Sequence, residues 1–210
     1  MTPLILASAS PRRRELLSRL SIQFEVVPSD VAEDDDGAGR PERVARRLAT
    51  AKALTVAAFR RDAVILAADT VVAHRGELLG KPRDAQQAAG MLRRLRGRTH
   101  RVITAVTVLP PGRARPFVDH VLTRVTMRRY TDEEIAASIA RGDPFDKAGA
   151  YAIQDERFAP VESYVGCYCN VVGLPLWTTI RLLGRAGLDL TRVSVADLPP
   201  QCAACPLRGL

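Results

Sequence analysis

The sequence predicts an α/β fold: a mixed, twisted sheet flanked by helices. Three observations predict it. Short apolar runs alternate with amphipathic stretches of helical period through the first half of the chain. Ala63-Val64-Ile65-Leu66-Ala67-Ala68 is continuously apolar, as a strand covered on both faces should be. His100 to Leu109 and Val118 to Met127 flank a Pro- and Gly-containing turn and read as an antiparallel pair, so the sheet is not purely parallel.

Taken in order, Leu4-Ile5-Leu6-Ala7 has strand length. Ser10 suits an N-cap and Pro11 the first helical position of the stretch that follows. Phe24 to Val27 reads as a second short strand. Pro28 to Gly39 is a polar loop with the acidic run Glu33-Asp34-Asp35-Asp36. Pro41 opens a helix through Phe59 on which Val44, Leu48, Ala51 and Thr55 share a face. Lys52 falls at the edge of that face, while Arg43, Arg46 and Arg47 point away. The strand from Ala63 ends in Asp69-Thr70, and an acid in that position is where open α/β sheets place ligands. A turn follows at His74 to Glu77. Asp84 caps a helix to Arg96, and Thr131-Asp132-Glu133-Glu134 is a capping box for a helix that stops at Gly142. Ala150-Tyr151-Ala152-Ile153 reads as a strand closed by Gln154-Asp155. The last helix spans Leu176 to Ala186, stopped by Gly187. Residues 1–190 therefore read as one domain. Residues 191–210 form a Pro- and Cys-containing tail, expected to be loose.

The chain of 210 residues is 47% hydrophobic and 26% charged, an ordinary globular balance. No apolar run reaches bilayer length, and no signal-peptide layout opens the chain. A cytoplasmic protein with no membrane partner is the expectation. The formal net charge of +8 favours an anionic partner. Aromatic content is 5% and does not interleave with the basic clusters, which disfavours nucleic acid as that partner. The four cysteines fall in two pairs, Cys167 with Cys169 and Cys202 with Cys205. C-x-x-C is half of a zinc-ribbon pattern, and the sequence shows no second C-x-x-C. A redox pair, an intermolecular zinc site and idle thiols stay open, with idle thiols favoured.

Ser8-Ala9-Ser10-Pro11-Arg12-Arg13-Arg14 is the most informative stretch. A strand, a tight loop and a helix start put free N–H groups, hydroxyls and guanidiniums at one spot, which suits a phosphate chain. A solvated basic helix start is the alternative. Ser8, Arg12, Arg13, Lys52 and Lys81 supply donors, and Glu33, Asp69 and Asp146 supply acids, all at the ends of elements. Cations that neutralise phosphate beside carboxylates that hold Mg²⁺ or Mn²⁺ suit a metal-bridged polyphosphate. Gly80-Lys81-Pro82 is not a Walker loop, and neither G-x-G-x-x-G nor G-x-S-x-G occurs. The residues alone reach a nucleotide or polyphosphate site and no specific reaction.

Several longer motifs carry a resemblance further. These are Ser8 to Leu17, Ala68-Asp69-Thr70-Val71-Val72, Gly80-Lys81-Pro82-Arg83-Asp84 and Gly97-Arg98-Thr99-His100-Arg101-Val102, then Asp146-Lys147-Ala148-Gly149-Ala150-Tyr151 and Val172-Gly173-Leu174-Pro175. In this order the sequence resembles the Maf family of nucleoside triphosphate pyrophosphatases, from about residue 3 to residue 187. The tail lies outside the resemblance.

The resemblance implies a Maf/ITPase-like arrangement of two lobes with a central cleft, a homodimer, and a hydrolase that cleaves a nucleoside triphosphate to monophosphate and pyrophosphate with a divalent metal. It implies Asp69 as proton acceptor, assisted by Lys52 and Lys81. Ser8, Arg12, Arg13, Thr70, Asp146 and Gln154 would bind substrate, and Glu33 and Asp69 would hold the metal. Arg12, Thr70 and Gln154 match the family's specificity positions for dTTP and UTP, where relatives acting on 7-methyl-GTP carry Trp, Gln and Glu. A different or modified purine triphosphate as substrate, or a nucleic-acid-binding role in cell division, is the alternative.

Overall fold

The computed structural model describes residues 2–31 and 39–209. Its strands are β1 (Leu4–Leu6), β2 (Glu25–Val26), β3 (Val64–His74), β4 (Glu77–Leu79), β5 (Thr99–Leu109), β6 (Phe117–Met127) and β7 (Val161–Val165). Its helices are α1 (Pro11–Ser18), α2 (Pro41–Ala57), α3 (Ala85–Leu95), α4 (Asp132–Ala140), α5 (Tyr168–Val172) and α6 (Leu176–Arg185). The strands form one mixed sheet in the order β2-β1-β3-β5-β6-β7, with β4 added to β3. β1 runs parallel to β2 and β3, and the remaining pairs are antiparallel. Among the described residues, no helix is long and apolar enough to cross a membrane.

Alternation along β3 organises the core. Side chains of a strand point to opposite faces in turn. Odd-numbered Ile65, Ala67, Val71 and Ala73 meet Val44, Ala45, Leu48, Ala49, Ala53 and Val56 of α2. Even-numbered Val64, Leu66 and Ala68 meet α1, α5 and α6, while Val72 meets α3. The buried stripe of α2 is rotated from the sequence expectation. Ala45, Ala49, Lys52 and Val56 lie inside, and Thr55 is exposed, because small alanines let the helix sit close to the sheet.

β3 is longer than its apolar run suggests. It continues through Asp69-Thr70 to His74, since β5 pairs with it from Ile65 to Ala73. Asp69 is therefore in mid-strand, which corrects the expectation of a strand end. On the other edge, pairing with β1 reaches Leu66, and pairing with β4 resumes at Val72. Between them β3 has a gap in its edge, flanked by the Ser8–Ser10 loop on one side and Gly80-Lys81 on the other. The β3–β4 turn is tight, with Arg75 and Gly76 at φ of 52° and 88°.

The caps expected at Ser10, Asp84 and Thr131 are present, the last as a full capping box. Ala150 to Ile153 is not a strand. Ala148–Ala150 forms a 3₁₀ turn whose Gly149 amide donates to the Gly80 carbonyl at 3.0 Å. Gly149 has φ of 74°, and a Cβ there would lie 3.1 Å from Val72, so only glycine seats this loop against β3. The edge strand is β7 instead. The tail is not loose: Leu198, Cys202 and Cys205 are buried in the cluster that holds α5 and α6.

Candidate active site

The even-numbered face of the gap is built around Arg13. Ser10 caps α1 and Pro11 starts it, so Arg13 leaves the first turn toward β3. Its guanidinium donates to Ser8 Oγ at 3.3 Å, Thr70 Oγ1 at 3.1 Å and the Gly173 carbonyl at 3.0 Å. Thr70 meets Thr104 Oγ1 at 2.9 Å, and Thr104 donates onward to the Asn170 carbonyl at 2.8 Å. The fork is thus seated on two hydroxyls and a backbone carbonyl.

The odd-numbered face carries a different arrangement. Lys52 Nζ donates to Asp69 Oδ1 at 2.6 Å, and both residues are about 5% exposed or less. The lysine comes from the buried stripe of α2, one helical turn beyond Leu48. A buried carboxylate beside a buried ammonium is held in one orientation, because turning away would strand either charge in a low dielectric. Asp69 and Thr70 are consecutive, so the two arrangements approach the same gap from opposite faces of the sheet.

A third group borders the gap from outside. Arg12 donates to Asp146 Oδ2 at 3.0 Å, and Lys147 also bonds this carboxylate. Burial pushes the Asp146 carboxyl up, but Lys147 and Arg12 outweigh it and hold the group below the usual carboxylate range. Arg12, Lys147, Gln154 and Asp155 line an open groove of about 460 Å³. Of the three residues that the resemblance assigns to specificity, Arg12 and Gln154 share this groove. Thr70 does not line it, and is engaged by Arg13 and Thr104. Lys81 is exposed on the loop tied to Gly149. Glu33 lies outside the described residues. Among the described residues, no three His, Cys, Asp or Glu side chains form a group that could hold a metal.

The structure adds residues that sequence reasoning missed. Asn170 is fully buried; its side chain accepts from the Thr104 amide and donates to Thr123 Oγ1 and the Val102 carbonyl. Gly173, at φ of 122°, presents its carbonyl to Arg13, and a Cβ there would lie 3.4 Å from Thr70 Oγ1 and 3.5 Å from Arg13 Nε. A buried polar residue three positions before a glycine was the available signal. Nothing in the spacing tied it to residues 13, 70 and 104.

The site is thus an α/β sheet with a gap in its edge, a seated guanidinium on one side and a buried ion pair on the other, a chemistry that suits an anion such as a phosphate chain. The chain matches the family model described as Maf-like protein over residues 3–186, and it belongs to that family. A dTTP/UTP pyrophosphatase of Thermomicrobium roseum is 58% identical over 205 residues, covering 97% of this chain and 93% of the relative. Proteins of the same name from Myxococcus xanthus and Alkaliphilus metalliredigens are 50% and 47% identical, covering 90% and 84% of this chain and 95% and 92% of their own lengths.

Proposed function

We propose that this protein hydrolyses dTTP and UTP to the nucleoside monophosphate and pyrophosphate. The Arg13–Thr70 contact, one residue along β3 from the buried Lys52–Asp69 pair, is the observation that carries the reading. A triphosphate lying along the gap has its phosphates beside Arg13, Ser8 and Lys81, with Arg12 at the groove. Water attacks the α-phosphorus in line with the bridging oxygen to the β-phosphorus. That bond breaks, the new phosphorus–oxygen bond forms, and the water proton passes to Asp69. Lys52 keeps the carboxylate aimed, and the cations stabilise the charge that grows on the leaving pyrophosphate. Arg12, Thr70 and Gln154 are the residues we assign to pyrimidine selection, and a site that hydrogen-bonds a base rejects analogues that leave its polar groups unmatched.

A divalent cation fits the donor chemistry. Mg²⁺ or Mn²⁺ takes one or two carboxylates together with phosphate oxygens and water, and Asp69 places one carboxylate at the gap. Asp69 and Glu33 are the residues that would hold the ion, which supplies charge neutralisation along the phosphate chain when bound. The working form we propose is a cytoplasmic homodimer acting on free nucleotides. A panel of triphosphates assayed for pyrophosphate release, with Mg²⁺ and with Mn²⁺, tests the reading. Turnover should be highest with dTTP and UTP. Preference for a purine triphosphate would reassign the substrate, and release of inorganic phosphate without pyrophosphate would refute the reaction.

A further inference from the structure

Besides the groove at Arg12, the surface holds an open cavity of about 440 Å³ where β3 ends and β5 begins. Among the described residues, the charged side chains that line it are all arginines: Arg75, Arg98, Arg101 and Arg124. Three neighbouring strands bring them together. Arg75 follows His74, the last residue of β3, and Arg98 precedes Thr99, the first of β5. Arg101 stands opposite Ala73 of β3 on one side and opposite Arg124 of β6 on the other. Residues directly opposite on paired strands share a face of the sheet. Two arginine stems therefore rise side by side, next to a residue that carries only a methyl group.

This gathering of charge is unfavourable as it stands. Like charges directly opposite on paired strands repel. Among the described residues, Arg101 alone of the four meets a carboxylate, Glu42 Oε1 at 3.4 Å. Arg98 donates to the Arg94 carbonyl at 2.8 Å, and Arg75 stands in the tight β3–β4 turn at φ of 52°. His74 and His100 also line the cavity and are 5% and 2% exposed. His74 Nε2 and His100 Nδ1 have no hydrogen-bond partner among the described residues. Buried polar atoms are normally satisfied within a fold, so internal bonding leaves this end of the sheet incomplete.

We propose that this cavity is a second anion site, one that takes the phosphate chain of free pyrophosphate or of a nucleotide. Its chemistry selects that class. Guanidinium forks pair their N–H groups with phosphate oxygens, and several forks around one cavity suit linked phosphates better than a lone carboxylate. Apart from the two buried imidazoles, the lining holds no aromatic face on which a base could stack. The site therefore reads phosphate and not base. It is distinct from the gap at Asp69: Ala73 lies four residues further along the same face of β3, about 13 Å at the rise of a strand. It stands whether or not the reaction proposed above is the right one.

Calorimetric titration of the full chain with pyrophosphate tests the site. R75Q/R124Q should bind one equivalent fewer than the parent, or bind it roughly a hundredfold more weakly. Arg13→Lys should leave that equivalent in place, so failure of the proposed reaction would remove only the binding that Arg13 governs. Equal binding by the parent and R75Q/R124Q overturns the site. Should the double variant not fold, the parent itself suffices. Phenylglyoxal should label Arg75 and Arg124 roughly tenfold more slowly when pyrophosphate is present, read by peptide mass spectrometry. An unchanged labelling rate overturns the site as well. The α,β-methylene analogue of UTP forms the second arm, and whichever of the two protects at the lower concentration identifies the source of the phosphates. Protection by duplex DNA and by neither small anion would make this a nucleic-acid surface and overturn the proposal.

Discussion

The two faces of β3 hold their polar groups by different physics. On the odd-numbered face, Asp69 and Lys52 form an ion pair buried under α2. On the even-numbered face, Thr70, Thr104 and Asn170 are neutral, and the Arg13 guanidinium donates to Ser8, Thr70 and the Gly173 carbonyl. A buried ion pair is costly to break and holds one geometry; a network of neutral partners divides the loss among several bonds. The contrast suits a division of labour in which the odd face moves a proton and the even face grips phosphate.

Breaking the odd face should have the largest effect on stability. Lys52→Met should cost about 3–5 kcal/mol in chemical denaturation, because it leaves the buried Asp69 carboxylate without its lysine. Adding Asp69→Asn to Lys52→Met should recover part of that stability and none of the activity. If Lys52→Met unfolds no more easily than the parent, the ion pair is not what holds this face.

The even face should respond to acid. His100, on the same face of β5, bonds Tyr151 Oη at 2.7 Å, and burial, with a smaller push from His74, lowers its pKa to about 4. The unfolded chain takes up this proton near pH 6.5 and the folded chain only near 4. The contribution is therefore complete above pH 6.5 and is lost as pH falls toward 4, by about 3 kcal/mol in all. His100→Gln should flatten the decline of stability across that window; an unchanged slope would assign the decline to other groups.

Smaller effects should follow from single contacts. Gly173→Ala should cost roughly 1–3 kcal/mol through its positive φ and raise KM, since the Arg13 fork rests on that carbonyl. Arg13→Lys, which keeps the charge and loses the fork, should cost roughly 1–2 kcal/mol of stability, again with KM raised more than kcat is lowered. A kcat effect at unchanged KM for either variant would blur the two faces into one.

How far these faces were legible in the sequence follows the same contrast. The Ser10 cap, the buried run before Asp69 and the inward lean of Lys52 are local signals, and each led to a side chain that the fold uses. The length of β3 was not legible, because two polar residues resemble a strand end until β5 supplies a partner. Nor was β7, which is an exposed edge strand with little apolar alternation. Asn170, Gly173 and the contact of Cys169 with Cys202 were hidden for a further reason. Their partners are 30 to 160 residues away, and no periodicity encodes such distances.

Turnover and binding of dTTP by Asp69→Asn, measured side by side with Arg13→Lys, bear most directly on the division between the faces. Asp69→Asn should lower pyrophosphate release roughly a thousandfold while nucleotide binding persists, and Arg13→Lys should weaken binding first. Full turnover in Asp69→Asn, or loss of binding with no loss of rate once the site is saturated, would contradict the assignment of proton transfer to the odd face.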